Sequence, residues 1–93
     1  NIFIAFNIYD MALSNPEKAL SMLREIEDSE DAYRMLGAWS SSALKSYKKD
    51  PTNRKTKNIL KELAKIDMLL KTTSFSSEPW KILESFILRA KLL

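Results

Sequence analysis

Cysteine and histidine are both missing from this 93-residue chain. Without cysteine the chain cannot form a disulfide or a thiolate metal site, and a cytosolic protein is the simpler interpretation. Without histidine it lacks the commonest metal ligand and the side chain most often used as a general base near neutral pH. Neither a Ser-His-Asp nor a Cys-His arrangement can therefore be built from these residues.

Glycine and proline are also scarce. Gly37 is the only glycine, which excludes a glycine-rich phosphate loop and leaves little material for the tight turns of β-hairpins. The three prolines fall between stretches of helically spaced apolar residues. No apolar run approaches the ~20 residues that a membrane-spanning helix needs. The sequence therefore predicts an all-α fold, a compact five-helix domain that resembles a bundle.

Apolar residues make up 45% of the chain and charged residues 29%, which is the balance of a globular domain rather than a disordered one. A chain of this length forms one domain and buries roughly two-thirds of its unfolded surface. We therefore interpret residues 1–93 as a single helical domain. The apolar start at Asn1 has neither an initiator methionine nor the basic segment of a signal peptide, so we expect a C-terminal fragment of a longer protein.

Acidic side chains are the remaining candidates for catalysis. Five of them cluster between residues 25 and 31, in a run that is typical of a solvated surface and has no apolar pocket pattern around it. We therefore expect no enzyme activity, no metal site and no cofactor in this chain.

The spacing of apolar residues predicts five helices. Their expected bounds are Ile2–Leu13, Pro16–Ile26, Glu30–Lys49, Thr52–Lys71 and Glu78–Leu93. The expected N-caps are Asn15 for the second helix, Asp28 or Ser29 for the third, Asp50 for the fourth and Ser77 for the fifth. Proline follows two of these caps directly, at a position where its missing N–H leaves no hydrogen bond unmade.

One face of each predicted helix carries most of its apolar residues and is expected to form the core. In the first helix this face consists of Ile2, Phe3, Phe6, Tyr9 and Leu13. In the second helix it consists of Ala19, Leu20, Leu23 and Ile26, and in the third of Ala32, Met35, Leu36, Trp39, Ala43, Leu44 and Tyr47. In the fourth helix it consists of Ile59, Leu60, Leu63, Ile66, Leu69 and Leu70, and in the fifth of Trp80, Leu83, Phe86, Ile87 and Ala90.

Positive charge is concentrated in the middle of the chain. Residues 45–65 hold eight basic and two acidic side chains, whereas residues 1–44 hold three basic and seven acidic ones. Such a stretch is most often a solvated helix surface, but it is also the pattern that contacts nucleic-acid phosphates. The candidate phosphate contacts are Lys48, Lys49, Arg54, Lys55 and Lys57, and we expect them to be non-specific.

Two segments near the end of the chain carry a family resemblance. Leu63–Thr72 contains an Asp four residues before a Lys, and Pro79–Arg89 contains a Leu-Glu pair followed by an apolar run. Together they resemble the C-terminal end of the delta subunit of bacterial DNA polymerase III. Ile8–Leu13 and Asn15–Leu20 are similar to the first two helices of that domain. Relatives carry an extra short helix before the Asp–Lys helix, so either this chain is shortened or residues near Asp50 are missing.

The resemblance implies a role in assembly. The delta subunit is similar to an AAA+ protein without a working ATP site, and it helps to open the ring-shaped sliding clamp during DNA replication. Its C-terminal helical domain is a collar that packs against the collars of the other clamp-loader subunits. This chain would then bind those subunits in the bacterial cytoplasm, without membrane contact. Domains N-terminal to Asn1 would contact the sliding clamp and DNA.

Four further residues are singled out by their positions. Asp67 and Lys71 stand four residues apart on one predicted helix, with the acid first, and are expected to form a structural pair. Phe75, in a serine-rich linker, and Trp80, in the first turn of the last predicted helix, are candidate interface residues. Packing of these two aromatic rings onto the core is the alternative.

Three other functions stay open. The chain is the collar of another clamp-loader subunit, although the spacing of Asp67 and Lys71 favours delta. Alternatively, it is a stand-alone basic helical domain that binds nucleic acid, which requires Lys45–Lys65 to form one continuous positive face. The last alternative is an enzyme fragment that supplies one wall of an active site.

Overall fold

The computed structural model describes residues 2–72 and 78–93. Within these ranges the chain forms five α-helices and no β-strand, which confirms the predicted all-α fold class. The helices are α1 (Ile2–Ser14), α2 (Pro16–Ile26), α3 (Ala32–Lys49), α4 (Arg54–Thr72) and α5 (Pro79–Ala90). Phe75 and Ser77, for which the sequence predicts an interface and a cap, lie outside the described residues.

Helix α5 connects two helical pairs. It contacts all four of the other helices, whereas α2 contacts only α1 and α5, and α4 contacts only α3 and α5, within the described ranges. Helices α1 and α2 therefore form one pair, α3 and α4 form the second, and an α1–α3 contact joins the pairs directly. The radius of gyration is 12.4 Å, close to the ~12 Å of a compact domain of this length.

Trp39 of α3 lies in the centre of the core and is fully buried. Its indole N–H donates a hydrogen bond of 3.0 Å to the backbone carbonyl of Ala5 in α1. Its ring stacks on Phe86 of α5, with the ring centroids 5.5 Å apart. One side chain thus holds α1, α3 and α5 together, and the small side chain of Ala5 lets α3 approach the backbone of α1.

The predicted inner face of α1 is wrong at its start, whereas Tyr9 is buried and Phe6 and Leu13 pack against the core as predicted. Ile2 and Phe3 are 57% and 71% exposed. The residues of α1 that are buried are Ala5, Ile8, Tyr9 and Ala12. Because α1 is apolar on almost every side, its sequence pattern does not select one face. The packing of neighbouring helices decides which side of α1 is buried, and it favours the side with Ala5 and Ala12, whose small side chains allow close approach.

Two leucines at the edges of predicted stripes are also exposed. Leu44 of α3 and Leu69 of α4 are 44% and 43% exposed, although most of the other predicted core positions of these helices are buried. Ala38 of α3, which the sequence pattern omits, is buried. The sequence pattern shows where the apolar face of a helix lies, but neighbouring helices decide how much of that face is buried. Residues at the edge of the face are therefore predicted as core and remain exposed.

The cap of α2 is confirmed and the cap of α3 is corrected. The Asn15 side chain accepts a 3.2 Å hydrogen bond from the backbone N–H of Lys18, as the sequence predicts. Helix α3 begins at Ala32, and Asp31 caps it by accepting hydrogen bonds from the N–H groups of Tyr33 and Arg34. The predicted caps, Asp28 and Ser29, lie too early because the turn after α2 extends to residue 30.

Asp50 is the C-cap of α3 and not the N-cap of α4. Its carboxylate accepts hydrogen bonds from the backbone N–H and the hydroxyl of Thr52, within a turn. Helix α4 begins two residues later than predicted, at Arg54, and Asn53 accepts a 3.0 Å hydrogen bond from the N–H of Thr56. Asp50-Pro51 and Asn53 both have the sequence of a helix start, and local pattern cannot decide between them.

Replacing Asp31 with Ala is expected to lower the free energy of unfolding by about 1 kcal/mol, because the first turn of α3 loses the acceptor for two N–H groups. Urea denaturation followed by circular dichroism measures the change. Asp28→Ala is the matched control, since Asp28 makes no capping bond to α3. Equal losses in the two variants would contradict the assignment of Asp31 as the cap.

Replacing Trp39 with Phe removes the hydrogen bond to Ala5 and part of the stacked ring. We expect a loss of about 1–3 kcal/mol in the free energy of unfolding. Trp80→Phe is the control, because Trp80 is only half-buried and should lose less. Chemical denaturation of both variants decides the point, and a larger loss for Trp80→Phe would show that Trp39 is not the central core residue.

Candidate functional site

One of the predicted phosphate contacts, Lys55, is engaged inside the fold, whereas the other four are exposed. Lys48 and Lys49 at the end of α3, and Arg54 and Lys57 at the start of α4, are exposed. Lys55 points elsewhere: its ammonium donates hydrogen bonds of 3.1 and 2.8 Å to the carbonyls of residues 90 and 91, at the end of α5. There it satisfies carbonyl groups that a helix end leaves without partners. The structure therefore removes Lys55 from the candidate contacts.

The structure brings together four cations of α4, of which only Arg54 and Lys57 are predicted as phosphate contacts from the sequence. Arg54, Lys57, Lys61 and Lys65 are separated by three, four and four residues, and all four are exposed. This spacing places them on one side of the helix, and we call them the α4 cation row. The i, i+3 and i, i+4 spacing is the signal that could have added Lys61 and Lys65 to the predicted contacts.

Asp67 and Lys71 lie 3.0 Å apart, from carboxylate to ammonium, across one turn of α4. Both side chains are largely exposed, so water and salt screen the attraction. An exposed pair of this kind contributes about 0.3–0.5 kcal/mol to helix stability. The pair thus supports the end of α4 in the segment that carries the family resemblance.

Trp80 is half-buried in the first turn of α5 and packs against the core. Its exposed part borders the surface that α5 presents to solvent. On that surface the apolar residues are Leu88, which is 53% exposed, and Leu92 just beyond the helix. Met68 in α4 is exposed as well. Apolar side chains therefore reach solvent on both helices that carry the family resemblance.

A groove runs between α4 and α5, with a volume of about 530 Å³. We call it the α4–α5 groove. Its apolar lining comes from Ile66, Leu69 and Ile82, and charged side chains, among them Glu78 and Lys81, also line it. Of these three apolar residues only Leu69 is exposed.

An acidic cluster lies where the end of α2 meets α5. A hydrogen bond between the carboxyl groups of Glu27 and Glu84, together with burial, raises the pKa of Glu27 to about 7. One oxygen of Glu27, Oε1, is buried and has no hydrogen-bond partner in the described part of the chain. The guanidinium of Arg24 lies 3.4 Å from Glu84 and opposes this rise in pKa only in part.

This contact is not predicted from the sequence, because the acidic run has the pattern of a solvated surface. Glu27 and Glu84 are 57 residues apart in the chain, and only the packing of α2 on α5 brings them together. The contact joins two helices of the core, and we interpret it as a structural feature that responds to pH.

Because the pKa of Glu27 is raised from 4.5 to about 7, the folded chain holds this proton more tightly than the unfolded chain. The contribution to stability is complete below pH 4.5 and is lost as the pH rises through 7. We expect Glu27→Gln, which mimics the protonated acid, to be more stable than the unmodified chain at pH 8 and to show a weaker pH dependence. Thermal unfolding between pH 4.5 and 8.5 measures both effects.

Glu25→Gln is the control for this pH effect, because Glu25 is an exposed acid in the last turn of α2, two residues before Glu27, and its replacement changes the net charge by the same amount. A pH dependence that is the same in the unmodified chain and in Glu27→Gln would contradict the role assigned to the Glu27–Glu84 contact.

In residues 2–72 and 78–93, no three acidic side chains converge closely enough to hold a metal ion. None of the helices in the same ranges is both long and apolar enough to cross a membrane. Comparison of the chain with protein-family models, with curated proteins and with solved structures found no match. The fold class therefore rests on the structure itself, and the family resemblance stays a prediction.

Proposed function

We propose that this chain is the collar domain of a DNA polymerase III delta subunit, and that it assembles with other clamp-loader subunits to support loading of the sliding clamp. One observation carries the proposal: the Asp67–Lys71 turn at the end of α4 and the segment Pro79–Arg89 in α5 resemble the end of that subunit. The five-helix fold is compatible with a collar, whose task is to present a rigid surface.

The position of α5 supports this role. Its inner side chains, including Leu83, Phe86 and Ile87, are fully buried and are held by contacts with four helices. Its outer side carries Leu88, and Leu92 follows four residues later. A helix that is anchored so firmly presents its exposed side chains in a single arrangement, which lowers the entropic cost of binding a partner.

The α4–α5 groove is a second surface that a partner subunit would cover in the proposed complex, although neither Leu88 nor Leu92 lines it. In this groove the exposed Leu69 stands near the charged side chains of Glu78 and Lys81. Clamp-loader chemistry would then belong to partner subunits, because this chain has no histidine, no cysteine and no glycine-rich loop.

The assembly test mixes the purified chain with the ATPase and delta-prime subunits of the clamp loader from the same bacterium. Size-exclusion chromatography with light scattering measures the complex, and we expect the chain to elute with its partners. The double variant Leu88→Asp, Leu92→Asp should weaken this association by about 100-fold or more, since an unpaired carboxylate buried in an apolar interface costs about 3–5 kcal/mol. Circular dichroism should show an unchanged helix content, because both leucines are exposed.

Leu44→Asp is the matched control for assembly, since Leu44 is 44% exposed, much like Leu88, but lies on α3. We expect this variant to assemble normally. If the chain still joins the complex after Leu88, Leu92 and Met68 have all been replaced by Asp, the collar proposal is wrong. Two reconstitutions, one without delta and one without delta-prime, decide which collar the chain supplies. We expect the chain to complete only the complex that lacks delta.

A further inference from the structure

The α4 cation row, formed by Arg54, Lys57, Lys61 and Lys65, is a continuous charged surface. At 3.6 residues per turn the four side chains fall within an arc of about 80° and extend over about 17 Å of the helix axis. The buried residues of α4 lie on the opposite side of the helix; they are Ile59, Leu63, Ile66 and Leu70. All four cations therefore face away from the core.

No acid neutralises this row within the described residues. Glu62 of α4 forms an ion pair with Arg89 of α5, and Asp67 forms one with Lys71. The nearest acid before the helix, Asp50, accepts hydrogen bonds from Thr52 in a turn. Glu62 and Asp67 thus already have cationic partners, whereas Asp50 has only neutral donors and keeps its charge four residues before Arg54. Within the described residues no acid forms an ion pair with the row, so most of its positive charge is left for an external anion.

The row also destabilises the helix that carries it. Like charges at i, i+3 and i, i+4 repel one another, and cations near a helix N-terminus oppose the helix dipole. Helix α4 has no acid in its first turn to offset this effect. A bound polyanion would remove the repulsion, so binding and the local stability of α4 would support each other.

The end of α3 adds to the same charge. Lys48 and Lys49 are exposed, and only four residues separate Lys49 from Arg54. Helices α3 and α4 pack against each other. A connection of this length keeps the two helix ends within about 18 Å. The charges of Lys48 and Lys49 therefore lie near the N-terminal end of the row.

We propose that the α4 cation row binds the phosphate backbone of duplex nucleic acid without regard to sequence. A long row of flexible cations suits a polyanion with regularly repeated charges. We expect no base reading by asparagine or glutamine side chains. The Asn53 side chain accepts a hydrogen bond from the N–H of Thr56, the Asn58 side chain donates one to the carbonyl of Leu93, and the chain has no glutamine.

A membrane surface fits this row less well. Helices that lie on membranes insert an apolar face next to their cations. The apolar face of α4 is buried in the core, where Leu63 and Ile66 pack. Lys65 of the row also lines the α4–α5 groove, and Lys55 and Asn58 of the same helix hold the end of the chain on either side of Leu92, so the row borders the proposed assembly surface. The phosphate contact does not require the collar proposal, because it is tested on the chain without its partner subunits.

The test is binding of the 93-residue chain to a fluorescent 20-base-pair DNA duplex of mixed sequence, measured by anisotropy between 50 and 200 mM NaCl. With four phosphate contacts, log K should fall with log[salt] at a slope of about −3.6, which is a loss of about 100-fold in affinity over this range. Absence of binding at 50 mM would overturn the proposal.

The double variant Lys57→Gln, Lys61→Gln should reduce the magnitude of the slope by about 2, since each lost phosphate contact contributes about 0.9. Lys18→Gln, Arg34→Gln is the matched control: it removes two exposed charges from α2 and α3 and should leave the slope unchanged. If the slope changed equally in both variants, the effect would come from net charge alone, and the assignment of the α4 cation row as the binding surface would be overturned.

Binding to vesicles of phosphatidylcholine with 30% phosphatidylserine, measured by sedimentation, distinguishes a membrane surface from nucleic acid as the partner. We expect weaker binding to the vesicles than to the duplex at the same salt concentration. Preference for the vesicles would overturn the proposal. Loss of assembly in the Leu88→Asp, Leu92→Asp variant bears only on the collar proposal, so the two proposals can fail separately.

Discussion

The buried indole of Trp39 is the interaction on which the arrangement of the helices depends. A buried N–H needs an acceptor, and here the acceptor is the carbonyl of Ala5 on a neighbouring helix. The same ring stacks on Phe86. Both contacts are satisfied only when α1, α3 and α5 hold one relative position. The side of α1 that faces the core follows from this constraint, and Ile2 and Phe3 are left outside it.

Helix α5 extends this constraint to the rest of the chain, since it contacts every other helix. Its C-terminal end is held by Lys55 and Asn58, whose side chains donate to carbonyl groups at the end of the chain. These two residues of α4 therefore serve the core, while Arg54 and Lys57 beside them point to solvent. The fold thus divides one basic segment into a structural part and an exposed part.

Much of the fold could be predicted because its determinants are local. The bounds of α2 follow from the Asn15-Pro16 start and from apolar spacing, and the structure has the same bounds. Helix ends with two competing caps could not be predicted. Asp50 and Asn53 both suit a helix start, and the choice between them depends on how α3 ends. The Glu27–Glu84 contact could not be predicted either, since nothing in either segment indicates the other.

The sequence by itself determined the class of fold, the number of helices in the described ranges, the Asp67–Lys71 spacing and the absence of histidine and cysteine. These properties depend on residue identity and on spacing within one helix. The tertiary structure alone decided which side of α1 is buried and which cations of residues 45–65 share a surface. It also brought the carboxyl of Glu27, just after α2, to that of Glu84 in α5. Each of these depends on how separate helices pack, and helix packing is a property of the whole chain.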